Sequence, residues 1–450
     1  MITKYLYLVS SAFILLVSCA ETDDYELVRT ELDIRLEELL VQNANGQGKS
    51  FFILPDSDDF TSIPQDPLNP LNSYKVALGK LLLHETAAGS DPKMSQMEET
   101  YSCATCHPVA SSFYSGRSQG IGEGGTGFGF VGEGRQIDLN IPIDSVDLQP
   151  VRPPTLLHVA YQETALWNGS LGATGPNFGT ESRWAITEVV ENNLGFQGVE
   201  TQGLLGQSIH RLKIDEDFIV NNGYQWLFNK AFADVNESNR YTALNAALAI
   251  AAFNRTLLAN RSPWQDYLKG NYEALSEREK KGAIIFTDKG QCISCHTGPA
   301  LKDHEFHAFG FGHFDDSNDA VVLDDAKFDM VKKGRGGFTG NVSDDYKFKT
   351  PTLYNLRDAR FYGHGSTFNS IEEVVRYKNN SSLQDQNASS NLASEMGAID
   401  LTEVEISDLV FFLENSLYDA ELLRYAPNSV KSGNCFPNAD VQSIIDLGCD

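Results

Sequence analysis

The sequence predicts a mainly helical protein made of two related units in tandem, and three observations predict it. Cys103-Ala-Thr-Cys106-His107 recurs as Cys292-Ile-Ser-Cys295-His296, the second copy beginning 189 positions after the first. The likeness extends beyond the pentapeptides. LGKLLLHE (78–85) precedes the first copy and KGAIIFTDKG (281–290) the second; Pro154-Thr155-Leu156 and Pro351-Thr352-Leu353 follow, and thirteen residues past each proline stands a large ring, Trp167 in LWNGS and His364 in YGHGS. Such self-similarity marks one structural block used twice. The third observation is helical patterning. Ser276-Glu-Arg-Glu279 and Thr402-Glu-Val-Glu405 read as capping boxes. The second opens a helix through Leu417, whose Val404, Leu409, Val410, Leu413 and Leu417 recur at helical spacing and should pack on the core. TALNAALAIAAFNRTLLAN (242–260) reads as an Ala-rich apolar helix buried between the units.

The elements follow in chain order. Residues 1–19 read as an export signal. Lys4 supplies a positive start, and the apolar run Tyr5 to Val17 is shorter than the roughly 18 residues of a membrane span. The run ends Leu16-Val17-Ser18-Cys19, which resembles a bacterial lipobox; an ordinary signal peptide is the plainer alternative. Cleavage before Cys19 would leave it to carry lipid, anchoring an exported protein to a membrane without spanning it. Ala20 is not the aspartate that often retains lipoproteins at the inner membrane, which points to the outer one, with the protein on its periplasmic face. Residues 20–66 read as a short helix and a Pro/Asp-rich tether. The first unit covers 67–265 and holds a glycine-rich loop, SQGIGEGGTGFGFVG (118–132). The second unit covers 266–430, and 431–450 is a tail. Cys435 and Cys449 are expected to pair in an oxidising compartment, although spacing alone does not decide it.

With 35 basic and 61 acidic residues the net charge is −26, which excludes a nucleic-acid partner. It suits a basic protein steered in by charge, or serves solubility alone.

A Cys-x-x-Cys-His run is the attachment site of c-type haem. Each sulfur bonds one former vinyl group on the same porphyrin edge, and the adjacent imidazole turns under the ring as proximal iron ligand. A four-cysteine zinc site is the first rival, but the pairs lie far beyond zinc-ribbon spacing and both carry the histidine. A thioredoxin-like redox pair does not need that histidine twice. Export supports haem, since haem c is attached outside the cytoplasm.

From about Leu68 to Leu423 the chain resembles the bacterial di-haem cytochrome c peroxidases and their MauG-type relatives. The stretches that carry this are LGKLLLHE…CATCH, RPPTLLHVAYQETALWNGSL, AAFNRTLLANRSPWQDYLKG, LSEREKKGAIIFTDKGQCISCHTGPAL, FHAFGFG, GRGGFTG and FKTPTLYNLRDARFYGHGSTFNSIEEVV, in that order. The resemblance implies two tandem cytochrome c-like haem domains and two covalently bound haem c groups. The C-terminal haem, on Cys292 and Cys295 with His296 as iron ligand, would take single electrons from a small cytochrome c or cupredoxin. The N-terminal haem, on Cys103 and Cys106 with His107 as iron ligand, would meet hydrogen peroxide. Trp167 matches the tryptophan that passes electrons between them. Peroxide reduction takes two electrons and the donor gives one at a time, so two haems store the pair. The peroxide-binding iron also needs an openable sixth position and a nearby acid/base.

Several positions depart from the family pattern. Where many members hold a histidine in the loop after the first haem site stands Glu123, a candidate distal acid/base or a solvated loop carboxylate. Gly195 takes the place of a distal glutamate, with Glu188 and Glu191 nearby. Tyr377, Lys378 and Met396 are alternative sixth ligands of the second haem, where the family uses Met or Tyr. A calcium ion between the domains is implied by the resemblance, but Pro153 replaces the usual asparagine, leaving backbone carbonyls near Lys349 and Pro351. His304, His307 and His313 read as packing or surface residues. The expected function is a lipid-anchored di-haem peroxidase, and the resemblance implies a homodimer. The alternatives are a MauG-type oxidase of a protein or organic substrate, which the missing loop histidine favours, and a non-catalytic electron carrier with both irons six-coordinate.

Overall fold

The computed structural model describes residues 29–44, 46–317, 320–397 and 399–449; the expected signal segment and Cys19 lie outside them. The helices are α1 (Glu31–Asn43), α2 (Ser73–His84), α3 (Glu181–Trp184), α4 (Gly198–Ile209), α5 (Glu216–Asn221), α6 (Gln225–Ala231) and α7 (Ala243–Arg255). They continue as α8 (Pro263–Leu268), α9 (Glu277–Thr287), α10 (Asp325–Lys332), α11 (Arg335–Thr339), α12 (Ile371–Asn380), α13 (Glu403–Phe411) and α14 (Val441–Leu447). Strand among the described residues is slight. β1 (Gly125–Thr126) pairs antiparallel with β2 (Gln136–Ile137), and β3 (Phe306–His307) with β4 (Phe348–Lys349).

The repeat in the sequence is a repeat of helix crossings. In the first unit α2 packs on α7; in the second α9 packs on α13. A Cβ at Gly79 of α2 would lie 1.9 Å from the Ala249 carbonyl oxygen of α7, and one at Gly282 of α9 would lie 2.2 Å from that of Asp408 in α13. Only glycine fits where two backbones approach so closely, which is why LGK and KGA recur ahead of the two cysteine pairs. The alanines of α7 serve the same end, letting α2 and α4 close on it from two sides. Helix α7 packs between α2 and α4 of the first unit, its Phe253 ring meets Tyr425 of the second at 6.5 Å between centroids, and it stops at Arg255. Its Leu248, Ile250 and Phe253 are buried, each contributing about 1.5–3 kcal/mol.

Both capping boxes form, at Ser276 and at Thr402. Helix α13 ends at Phe411 and continues as one π-helical turn, Phe412–Ser416. Leu409, Leu413 and Leu417 enter the core as expected, but Val404 is 70% exposed and Ile406 takes its place. Val404 sits in the first turn, where the chain has not yet turned onto the core face.

A single apolar cluster runs through both units, from Leu78, Phe228 and Phe253 to Trp264, Phe286, Phe412 and Tyr425. Phe52, Leu54 and Ile63 join it, so the stretch after α1 is packed rather than a loose tether. The tail also packs. Cys435 and Cys449 are disulfide-bonded, and α14 lies against β1 of the glycine-rich loop.

Candidate functional site

Each cysteine pair sits on a single 3₁₀ turn, Cys103–Thr105 and Cys292–Ser294. The four cysteines are free thiols. Burial pushes Cys103 up to about 11, and Cys106 and Cys292 to about 12. Burial therefore keeps these three thiols neutral, unlike the low-pKa thiolate of a redox-active pair. Among the described residues no metal-ligating cluster joins the two pairs; one group gathers Cys295, Asp303 and His307, and thioether formation at Cys295 would leave it two ligands. Both histidines are set for iron. His107 Nδ1 hydrogen-bonds the Phe113 carbonyl at 3.2 Å and His296 Nδ1 that of Leu301 at 3.0 Å. A ring that donates from Nδ1 presents a bare Nε2, the tautomer an iron ligand requires. Burial lowers both imidazoles, His107 to about 4, so they stay neutral.

A cavity of about 280 Å³ opens beside the second pair. Cys292, Cys295 and His296 line one end, Trp167, His364 and Arg152 also face it, and Phe286, Phe309, Phe311, Leu409 and Leu413 make much of the wall. Four cations face the same space: Arg152, Lys302, Lys349 and Lys378. None has a carboxylate in ion-pair reach among the described residues, and Arg152 Nε and Lys378 Nζ are buried with no partner at all. Burial lowers Arg152 to about 10 and Lys302 to about 7, and takes Lys349 well below its usual value, with Lys302 adding to the last. Unpaired buried charge is expensive, and burial holds the lysines toward their neutral form; an anionic, largely apolar group entering the cavity would reverse that shift and pair with them. A haem, an apolar ring bearing two propionates, fits that description. A calcium ion does not fit beside Lys349 and Lys302, whose ammonium groups both reach Gln162 Oε1, at 2.9 and 3.2 Å.

The three sixth-ligand candidates fall in different places. The Tyr377 hydroxyl is committed to the Phe309 and Gly310 carbonyls at 2.7 Å each. Met396 is packed in a side cluster with Phe368 and Tyr377. Lys378 lines the cavity with its free Nζ.

The two repeat-related rings meet at the junction of the units. Trp167 and His364 lie edge to face, 6.4 Å between centroids, and Trp167 Nε1 donates to the Arg152 carbonyl at 2.7 Å. Behind His364 runs a buried chain: His364 Nε2 to His313 Nδ1 at 2.9 Å, and His313 Nε2 to Asp385 at 3.1 Å. His313 is thus neither plain packing nor surface. His307 is likewise engaged, bonded to Asp303 at 2.7 Å, with that bond first among the causes raising it to about 10.

At the first pair, Glu123 is fully buried rather than solvated. One carboxylate oxygen is ion-paired with Arg211 and the other accepts the Met94 amide at 3.2 Å. Beside it His210 Nδ1 meets Asp147 at 2.7 Å. Glu188 is exposed and pairs with Lys327 at 3.4 Å, Glu191 keeps one buried oxygen without a partner, and Gly195 closes a turn at φ 84°. The tail covers this region. Asp440 takes Arg135 at 2.8 Å and the Gly127 amide at 2.9 Å, Asp446 takes the Phe128 and Gly129 amides, and the Pro437 carbonyl accepts from Ser102 next to Cys103. Asp147, His210, Arg211 and the cavity cations Arg152 and Lys302 carry no spacing signal in the sequence; only the fold gathers them.

Residues 73–273 match the family described as di-haem cytochrome c peroxidase. The methylamine utilization protein MauG of Methylorubrum extorquens is 28% identical over 355 residues, 78% of this chain and 81% of that protein. The cytochrome c551 peroxidase of Pseudomonas aeruginosa is 28% identical over 322 residues, 70% of this chain and 75% of that protein. Among solved structures, a MauG-like protein associated with microbial copper homeostasis superposes with a TM-score of 0.55 at 21% identity, covering 82% of this chain and 96% of that one. A variant of the diheme peroxidase BthA of Burkholderia thailandensis gives 0.50 at 16% identity, covering 81% and 90%. These likenesses place the fold among mainly helical di-haem proteins with cytochrome c-like domains.

Proposed function

We propose that this chain, a relative of the di-haem cytochrome c peroxidases and MauG proteins, is an exported peroxidase that reduces hydrogen peroxide with electrons from a small cytochrome c or cupredoxin. One observation carries the reading: each of two Cys-x-x-Cys-His turns holds its histidine by an Nδ1 hydrogen bond to a backbone carbonyl, and the second turn lines a cavity in which Trp167 faces His364. Haem c would be held by Cys103, Cys106 and His107 at one site and by Cys292, Cys295 and His296 at the other; it supplies the electrons and the peroxide-binding iron. The protein does the rest. Arg152, Lys302 and Lys349 supply counter-charge at the second site. Trp167, fixed by its bond to Arg152, keeps an aromatic path between the sites. Of the three candidates Lys378 would be the one to help hold the second iron, because its amine lines the cavity without a partner while the Tyr377 hydroxyl is already bonded. Among the described residues no helix is long and apolar enough to cross a membrane; attachment through lipid on Cys19 rests on the lipobox resemblance alone.

A MauG-type oxidase is the second reading. It is favoured by Glu123, which is locked to Arg211 in the position where a histidine could otherwise cap the first iron. The deciding experiment mixes the haem-loaded protein with a reduced small cytochrome and adds peroxide. Oxidation of two cytochromes per peroxide supports the peroxidase. Absence of cytochrome oxidation, with peroxide-driven turnover of an organic substrate, overturns it in favour of the oxidase.

A further inference from the structure

The first haem site needs a group that takes and returns a proton, and Glu123 is poorly placed to be it. Its oxygens are occupied by Arg211 and the Met94 amide, and it has no exposed surface. The neighbouring pair is different. His210 follows directly on α4, and its ring is one-third exposed where Glu123 is sealed. Asp147 accepts from Nδ1–H at 2.7 Å, which leaves Nε2 with its lone pair. Asp147 is itself held by the loop: its amide donates to the Glu123 carbonyl at 2.8 Å, and the Gly122 amide donates back to its carbonyl at 2.9 Å.

The face of α4 that ends in His210 is Val199, Gln202, Gly206 and His210, spaced three or four apart. Val199 packs on Val159 and Ala251, and Gln202 lines the cavity that reaches Trp167. A Cβ at Gly206 would meet nothing within 4 Å except His210 Cδ2 at 3.9 Å, so the face beside the imidazole is open. Arg211 adds a cation whose Nη2 is buried without a partner. The groups around the His210 ring are Asp147 and Arg211, with Glu123, His107 and Tyr101 beyond them.

We infer that His210, oriented by Asp147, is the acid–base residue for peroxide at the first haem, with Arg211 supplying positive charge to the departing oxygen. This rests on the peroxidase reading above and names the proton-transfer group within it. The near oxygen of hydrogen peroxide gives its proton to His210 Nε2, which passes it to the far oxygen. The O–O bond breaks with its electron pair on the far oxygen, which leaves as water. Two electrons, from two molecules of the reduced redox protein, and two protons from solvent convert the near oxygen to the second water. Asp147 acts through His210 and is a positioning residue. Burial lowers the imidazole's proton affinity, but the Asp147 carboxylate outweighs it and the net shift is upward, in keeping with a group that holds a proton in transit.

The test uses the haem-loaded full chain, as wild type, His210→Gln and Asp147→Asn. Stopped-flow association of cyanide with the ferric protein is followed from pH 5 to 9, alongside peroxide consumption. Hydrogen cyanide must lose its proton as it binds, so it reads the base without turnover. His210→Gln should slow both reactions by on the order of 10²–10⁴-fold with the haem spectrum unchanged. Asp147→Asn should slow cyanide less and move its pH profile to lower pH, and it carries the test if the histidine variant fails to load haem. Wild-type cyanide and peroxide rates in His210→Gln, or a wild-type profile in Asp147→Asn, overturn the inference. A wild type whose cyanide uptake depends on His210 but which does not reduce peroxide keeps His210 as the base of that site and overturns both its role toward peroxide and the peroxidase reading.

Discussion

Replacing Asp440 by Asn tests whether the tail fixes the loop over the first haem site. Asp440 and Arg135 are 6% and 3% exposed and form an ion pair at 2.8 Å. Arg135 also donates to the carbonyls of Ile121 and Gly122, which brace the turn that holds Glu123. Asparagine keeps the shape and one acceptor but leaves the guanidinium buried without its counter-charge. Removing one partner of a buried pair costs about 3–5 kcal/mol. At about 1.4 kcal/mol per tenfold, that is on the order of 10²–10⁴ in a local opening equilibrium. The cost should appear locally, because the tail lies at the edge of the fold. Hydrogen exchange at Gly127, Phe128 and Gly129, whose amides bond Asp440 and Asp446, should accelerate by that factor while helix α7 exchanges as before. Unchanged exchange at those three amides would refute the reasoning. The pH dependence has a definite sign. Burial raises the Asp440 carboxyl, but Arg135 and the Gly127 and Ser443 amides outweigh it and the net shift is downward. The folded value then lies below the unfolded one, so the clamp is complete above the ordinary carboxylate range, about 4, and is lost as pH falls through the folded value.

Lys378→Ala should turn the second ferric haem from low-spin to high-spin by EPR, and Lys378→Met should restore low spin; an unaltered spectrum in the alanine variant would remove lysine as the ligand. Trp167→Phe keeps most of the packing but loses the bond to the Arg152 carbonyl, about 1 kcal/mol. Peroxide added to its half-reduced form should oxidise the second haem more slowly at normal haem loading, and equal rates would leave Trp167 a packing residue. Phe253→Ala, in the fully buried heart of α7, should cost about 3–5 kcal/mol in urea unfolding.

The parts legible in the sequence were those governed by local chemistry. Cysteine spacing and the two capping boxes follow from bonds within a few residues, and both appear in the fold. Val404 misled because periodicity gives a face but not where a helix first meets the core. Helix α7 was legible as a buried helix but not by its neighbours, because a helix rich in alanine fits any close crossing, inside a unit or between units. The tail carried only a cysteine pair as signal, yet Asp440 and Asp446 reach a loop more than 300 residues earlier. Glu123 was legible as a position and not as an environment; its partner Arg211 is 88 residues away and has no motif.

The charge balance of the chain acquires a meaning from where the charges lie. A net charge of −26 describes the chain as a whole, while the cavity wall gathers Arg152, Lys302, Lys349 and Lys378 beside two carboxylates, Asp385 and Glu395, neither of which is ion-paired to any of the four among the described residues. A chain this acidic had ample carboxylates to pair with four lysines and arginines, and burial without pairing is costly. Burial meets that cost by holding the lysines toward neutrality, and an incoming negative charge would recharge them. A group with two carboxylates on an apolar ring does so without adding another acidic side chain to the core. The net charge leaves the outer field negative, which would favour a basic donor under the proposed function. High salt should therefore slow reduction by a basic cytochrome while leaving the reaction with neutral peroxide unchanged.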